Sequence, residues 1–407
     1  MPTDDLSARA IGDSASDRAD ARQLALLGLG HAVTDSYGQS LLAPLFPILA
    51  QRLQLDYAQV GTLPLVMGLS ASLGQPLFGV ITDRWPRIPA VALGPALAAI
   101  FIGMVGRAGS FAELAMLLFL AGLGIGAYHP QGASLARDAA RGRGLAMAAF
   151  TVGGNLGFGL APILGALYFA WFGWERFHWA AAPGVLLGIA MLAGRGGRAW
   201  RAGEPADRPP DHGRGDPWAL TLLTGTVVLR SSVQIAVVTF LAFLLQQRLP
   251  GSGMRAHGVA VTAFLLASAL AGPTGGYFCD RFGRKRVMVA SLATAPFLLQ
   301  LGLLLPGYGI VLGLALGGYV LMLPHPANVI MAQEYLPRSA GVGASLITGL
   351  AWGLAQLLQR PLGELADHAG IALALQVVCW LPLLGIPMAW PLSDRAPKPL
   401  APVREAP

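Results

Sequence analysis

The sequence predicts an all-α membrane protein of twelve transmembrane helices, arranged as two pseudo-symmetric six-helix bundles. Three observations lead there. The 407-residue chain is 54% hydrophobic and only 12% charged, with a mean hydropathy of +0.57, whereas soluble domains are about one quarter charged. Its apolar runs occupy nearly the whole length, and spans of roughly 20 residues suffice to cross a bilayer core. Short motifs recur between the two halves at a nearly constant offset.

The expected spans are 23–49, 58–82, 88–106, 111–135, 144–170, 177–194, 218–246, 256–279, 287–305, 308–332, 340–366 and 370–392. Pro44, Pro47, Pro162 and Pro361 interrupt them, which packed membrane helices tolerate because neighbours satisfy the freed backbone groups. Residues 1–21 carry five aspartates and neither a basic start nor an early apolar core. They read as a disordered cytoplasmic tail and not as a signal peptide. The domains expected are an N-terminal bundle (22–194), a polar cytoplasmic linker (195–217), a C-terminal bundle (218–393) and a cytoplasmic tail (394–407).

The net charge of +7 does not mark a nucleic-acid binder, because the basic residues sit in small groups between apolar runs. Of 28 Lys and Arg, 21 fall in the tails and the even-numbered turnarounds, five fall on the opposite side, and Arg230 and Arg360 lie inside spans. The positive-inside rule then puts both termini in the cytoplasm. Cys279 and Cys379 lie in or at the end of apolar runs and are expected to be reduced thiols without a structural role.

The repeat shows in four ordered matches. Gln51-Arg52-Leu53 recurs as Gln247-Arg248-Leu249, Asp83-Arg84 as Asp280-Arg281, His129-Pro130 as His325-Pro326, and Leu164-Gly165 as Leu362-Gly363, at offsets of 196 to 198. Span 1 holds His31 and Asp35, whose i, i+4 spacing puts imidazole and carboxylate on one helix face. A mid-span Asp costs about 2.5–3.5 kcal/mol, so it must face a wet cavity or a partner. Such a pair is suited to take up and release a proton; a buried structural bond is the plainer alternative. Arg230 in span 7 is placed to bridge to Asp35 or to bind an anionic substrate or backbone carbonyls. Arg360 and Glu364 repeat the i, i+4 spacing and read as a structural ion pair.

The turns after spans 2 and 8 run from Gly79 through Asp83 and Arg84 to Arg87, and from Gly276 through Asp280 and Arg281 to Arg284 and Lys285. Both resemble the cytoplasmic loop motif of the major facilitator superfamily. The resemblance implies gating: each Asp faces the N-terminus of a helix in the other half, helix 11 for Asp83 and helix 5 for Asp280, where an anion gains about 0.3–1 kcal/mol. The first copy has Pro86 where Gly is usual. Span 5, with Gly157, Pro162 and Gly165, resembles a degenerate form of the family's antiporter motif, which bends helix 5 against the opposite half; small residues also simply let helices approach.

The His31–Asp35 helix, the stretch from Gln75 to Asp83, and Tyr128-His129-Pro130 together look like the fosmidomycin-resistance branch of the superfamily. That branch implies drug efflux driven by proton entry, with alternating access at a midplane site. Helices 1, 4, 7 and 10 line the cavity in this superfamily, which makes Gln39, His129, Arg230, Gln234, His325 and Asn328 cavity candidates. A structural bond at a proline-broken helix is the alternative for each of the two histidines. The usual helix-4 Arg is absent, with Leu118 and Leu120 at its positions, which argues against coupling through it.

No nucleotide loop, His-Glu-x-x-His or Cys-x-x-Cys occurs, so neither cofactor nor metal is expected, and Gly122-x-Gly124-x-Gly126 reads as packing. The expected protein is no enzyme. It is a monomeric proton-coupled antiporter of the bacterial inner membrane, with protons, a small molecule and the bilayer as partners. Proton symport of a sugar or organic acid, or a non-transporting sensor or enzyme on this fold, are the competing readings.

Overall fold

A computed structural model describes residues 3–85, 87–140, 144–194 and 215–393, with side chains from residue 20 onward and, in the third stretch, from residue 147. Among the described residues there is no β-strand, and the helices form twelve spans. The first, α1 (Thr3–Ser36), continues as short pieces over Gln39–Leu42, Ala43–Leu45 and Phe46–Leu53. Pro44 and Pro47 withhold two backbone donors there, which breaks the regular ladder. The others are α2 (Tyr57–Arg84), α3 (Ala90–Arg107), α4 (Phe111–Ala140), α5 (Gly144–Phe172) and α6 (Phe177–Gly194). The second bundle holds α7 (Pro217–Arg248), α8 (Met254–Phe282), α9 (Arg284–Leu304), α10 (Gly309–Tyr335), α11 (Pro337–Ala369) and α12 (Ile371–Ala389). Eleven of the spans, α2 to α12, are long and apolar enough over their described residues to cross a membrane.

The described backbone is helical from Thr3, continuous with the rest of α1. Of the expected linker, 195–217, residues 195–214 lie outside the described residues, and Pro217 opens α7 under an Asp216 cap that accepts from the Ala219 amide at 2.9 Å. Of the two His-Pro sites, only α10 is broken, and the break precedes the histidine at Leu323–Pro324. Helix α4 passes through Pro130 without interruption. The tail 394–407 and Pro86 lie outside the described residues.

Close packing rests on small residues, as membrane helices require. A Cβ on Gly122 would stand 2.0 Å from Ser70 Oγ, on Gly124 2.6 Å from Ala98 N, and on Gly126 2.6 Å from Ala71 O. The triplet therefore seats α4 on α2 and α3. Large apolar side chains such as Leu73, Val80, Leu186, Leu312 and Leu384 remain exposed on the outside of the bundles, a surface suited to lipid. Duplication is visible in detail. Arg52 donates to Gly106 O at 2.6 Å, and its repeat Arg248 donates to Leu303 O, so each ties the end of α1 or α7 to the end of α3 or α9.

The two halves meet from the end opposite the Asp-Arg motifs to the middle of α2 and α11, where Ser72 Oγ donates to Gly349 O at 3.2 Å. At the end opposite the Asp-Arg motifs, Asp367 of α11 accepts from the amides of Tyr57 and Ala58 at 2.8 and 2.9 Å, capping α2 from the other bundle. Gly61 and Gly363 lie so close to the facing helix that a Cβ would stand 2.2 Å from Gln359 O and Tyr57 O respectively. Between α5 and α8, Ile163 N donates to Thr262 Oγ1 at 3.1 Å, and a Cβ on Gly258 would lie 3.0 Å from Pro162 O. At the motif end, Gly272, Gly276 and Gly341 have nothing within 4 Å of a built Cβ, and Gly79 meets only Pro130 of its own half at 3.8 Å. The bundles are thus closed at the Asp367 end and apart at the motif end.

Candidate functional site

Two charged clusters stand out, one in each bundle. In the first, the i, i+4 spacing on α1 brings His31 Nε2 to 3.2 Å from Asp35 Oδ2, and α4 delivers His129 Nε2 to 3.4 Å from Asp35 Oδ1. The side chains of His31, Asp35 and His129 keep 14%, 21% and 24% exposure, so the site is enclosed yet reachable by water. His31 Nδ1 lies 3.0 Å from Phe150 O, and its ring stacks on Phe150 at 4.4 Å. A carbonyl oxygen only accepts, so Nδ1 carries the hydrogen. Nε2 can then bond to the Asp35 carboxylate only if a second proton lies between them. The geometry holds a carboxylate between two imidazoles with at least one proton shared.

Glycine makes this possible. A Cβ on Gly154 would stand 2.5 Å from His31 Nε2 and 2.8 Å from Asp35 Oδ2. Gly153, Gly157 and Gly165 likewise press α5 onto α1, with built Cβ atoms 2.4, 2.0 and 2.3 Å from the carbonyl oxygens of Gly28, Ala32 and Leu41. The expected glycine packing on helix 5 is therefore present, but these residues serve α1 of the same half, and Pro162 with Gly159 faces α8 of the other half. The nitrogen and oxygen atoms of His31, Asp35 and His129 also lie within 4.8 Å of one another, as ligands of one metal ion would, a grouping absent from the sequence expectations.

The second cluster is centred on Arg230 of α7, 1% exposed. Its Nη1 lies 2.6 Å from Met322 Sδ and its Nη2 3.3 Å from His325 Nδ1, while Nε has no partner. No ion pair joins Arg230 to Asp35, and the expected bridge across the cavity is not made: each residue is taken up by a histidine from its own bundle. A cavity of about 90 Å³ between the bundles is lined by Asn155 and Phe158 of α5, Gln234 of α7, Met322 and His325 of α10, and Trp352 of α11. Of the remaining candidates, Gln39 and Asn328 are buried with an amide oxygen unpartnered. Asn155, Phe158, Met322 and Trp352 were not legible beforehand, since apolar and amide side chains carry no spacing signature.

The gating candidates are dispersed. Asp83, Arg84, Asp280 and Arg281 are exposed, and neither aspartate bonds to another described residue. The start of α5, expected to face Asp280, lies partly outside the described residues. Arg284 instead pairs with Glu334 of α10 at 2.7 Å, and Arg281 donates to Tyr277 Oη at 3.2 Å. Arg360 and Glu364 form the expected ion pair, 3.1 Å apart and exposed. Cys279 and Cys379 are buried without a disulfide.

The model of the Major Facilitator Superfamily matches residues 31–252 and 251–407. The Fosmidomycin resistance protein of Escherichia coli (strain K12) is 31% identical over 379 residues, covering 89% of this chain and 91% of that protein. An uncharacterized MFS-type transporter, YfnC, of Bacillus subtilis (strain 168) is 33% identical over the same shares. Among solved structures, the inward-facing, unoccupied bacterial homolog of the human lysosomal transporter Spinster superposes with a TM-score of 0.70 at 16% identity, over 92% of this chain and 95% of that one. The nucleoside transporter NupG gives 0.67 at 16% identity, over 91% and 98%. These folds and relatives are transporters and not enzymes, and the twelve-helix chain is a multi-pass membrane protein that belongs to the major facilitator superfamily.

Proposed function

We propose that the protein is a proton-coupled antiporter that exports small, drug-like organic compounds by alternating access. The observation that carries this reading is the carboxylate of Asp35 held between His31 and His129. A carboxylate flanked by two imidazoles in a partly wet site can gain a proton to become neutral and release it to leave an anion that the neighbouring imidazole and water solvate. The relative named for fosmidomycin resistance supports export as the direction.

The bias of Lys and Arg toward the motif end supports a bacterial inner-membrane location with that end, and both termini, in the cytoplasm. In that orientation the conformation described here is open to the inside: the halves are latched at Asp367 and parted at Gly79 and Gly276. Proton delivery to Asp35 from the outside then requires the opposite state, in which the Asp367 latch is undone.

Reconstitution into proteoliposomes with an imposed pH gradient tests the reading. Antiport gives substrate movement against the direction of proton flow, symport gives movement with it, and an absence of flux would leave only a non-transporting role.

A further inference from the structure

We propose that His31, Asp35 and His129 form a reversible binding site for a divalent transition-metal ion of the Zn2+ type, and that such an ion inhibits the protein. The site itself stands on geometry; the inhibition rests on the antiport reading, which places coupling at Asp35.

Two imidazoles and a carboxylate make a borderline donor set that suits Zn2+, Co2+ or Ni2+, whereas Mg2+ and Ca2+ take oxygen ligands. The nitrogen and oxygen atoms of these three side chains lie within 4.8 Å of one another, and among the described residues no other three such side chains come so close. Two ligands bound tetrahedrally to one Zn2+ at about 2.0–2.1 Å stand roughly 3.3 Å apart. His31 Nε2 and His129 Nε2 stand 3.2 and 3.4 Å from the Asp35 carboxylate. Each nitrogen approaches a different oxygen of that group, so the ion is met by both oxygens, or by one after a small turn of the carboxylate.

A metal-bound histidine ordinarily gives its other ring N–H to an acceptor, which fixes tautomer and ring orientation. His31 already does so, donating from Nδ1 to Phe150 O at 3.0 Å with its ring stacked on Phe150. Its Nε2 therefore presents a lone pair, and it faces an oxygen that presents another. Two acceptors 3.2 Å apart repel unless a cation lies between them. A proton fills that role in the metal-free protein; a metal ion fills it with three donors in place of two. Gly154 keeps the α5 side of the donors clear, since a Cβ there would stand 2.5 Å from His31 Nε2 and 2.8 Å from Asp35 Oδ2.

Three protein ligands leave a coordination position for water, and all three side chains stay partly exposed. The ion therefore exchanges with solvent, unlike one in a closed four-ligand structural site. The other half offers a contrast within the same molecule. His325, the repeat partner of His129, lies 3.3 Å from Arg230, and a fixed positive charge at that distance repels a metal cation. The duplicated scaffold thus keeps one cation site and not two. An ion held by His31, Asp35 and His129 occupies the groups on which the proposed coupling depends, so proton-linked flux stops while it is bound.

Co2+ titrated into the full-length protein, free of any histidine tag and in detergent at neutral pH, tests the site, because protein-bound Co2+ of low coordination number absorbs visible light far more strongly than the hydrated ion. The expected result is a visible band that saturates at about one equivalent and is removed by Zn2+ but not by an excess of Mg2+. His31→Gln and His129→Gln should each weaken Co2+ binding by at least about tenfold, and His368→Gln should leave it unchanged. His129→Cys, which restores a ligand, should bring the band back with an added sulfur-to-cobalt charge-transfer absorption. The absence of a saturable band, displacement by Mg2+ as readily as by Zn2+, or a band of full strength in both His31→Gln and His129→Gln overturns the proposal. The titration of the unaltered protein decides the matter even if a variant does not fold. In proteoliposomes, Zn2+ at the concentration that fills the site should abolish proton-linked flux. Flux that persists with the site filled would defeat the inhibition and the placement of coupling at Asp35 together, and proton-linked flux in a protein that gives no Co2+ band would defeat the metal site alone.

Discussion

His31 Nε2 stands 3.2 Å from Asp35 Oδ2 while the other ring nitrogen is already committed to the carbonyl of Phe150 at 3.0 Å. With Nδ1 fixed as a donor, the short approach on the other side exists only while a proton is shared between ring and carboxylate. Asp35→Asn keeps the size of the side chain and removes that shared proton. Gradient-driven flux is expected to fall by about tenfold or more, corresponding to ~1.4 kcal/mol or more, with the helical circular dichroism unchanged. Flux that still follows the pH gradient in this variant would remove Asp35 from the coupling pathway.

Gly154→Ala separates the coupling site from general packing. Its new Cβ would meet His31 Nε2 at 2.5 Å and Asp35 Oδ2 at 2.8 Å, both ends of side chains that can turn aside. Gly157→Ala instead drives a Cβ to 2.0 Å from a backbone oxygen of α1, which cannot. The first variant should therefore keep its melting temperature within a few degrees and lose coupled flux. The second should be destabilised by about 1–3 kcal/mol, as overpacked sites are. Melting curves in detergent beside flux measurements distinguish the two, and equal losses of stability would mean that Gly154 is only a packing residue.

The legible and the hidden parts of this protein divide along a physical line. Helix number, the two halves and the repeat follow from apolar length and from ordered motif pairs, both of which are properties of the chain alone. His31 and Asp35 could be paired because one helix turn separates them. Their third partner, His129, stood out by its proline neighbour, but its meeting with Asp35 depends on how α4 docks against α1. Asp367 gave no signal at all: it caps a helix more than 300 residues away in sequence. Arg230 was placed near Asp35 by the repeat offset, yet each contacts a histidine of its own bundle, so equivalent positions in the repeat do not become contacts.

Asp367→Asn tests the latch at the closed end. The carboxylate accepts the two α2 amides that α2's own cap residue, Asp56, leaves free; Asp56 takes the amide of Gln59 at 2.7 Å. Loss of the charge at a helix N-terminus should cost about 0.5–2 kcal/mol, all of it from the state closed at this end. The population open at the Asp367 end should rise by about 2- to 30-fold. Spin labels placed on α2 and α11 near residues 57 and 367 would report longer distances, and an unchanged distance distribution would assign Asp367 to helix capping without a part in gating.

Asp83 and Asp280 are exposed and unpartnered while the motif end is open. If they act as the resemblance implies, their work is done in the other conformation, where each would reach the start of a helix in the opposite bundle. Asp83→Asn and Asp280→Asn should then leave the form described here unharmed and weaken only the form closed at the motif end. Two measurements bear on this. Thermal stability of the open form should stay within about 0.5 kcal/mol of the unaltered protein, as for surface substitutions generally. Cysteine cross-linking between the motif-end segments of α2 and α11 should drop in Asp83→Asn, because the closed form that brings them together has lost a favourable contact. Undiminished cross-linking in that variant would reduce the Asp-Arg turns to topology signals and leave the closing of this end to the helix faces around Gly79 and Gly276.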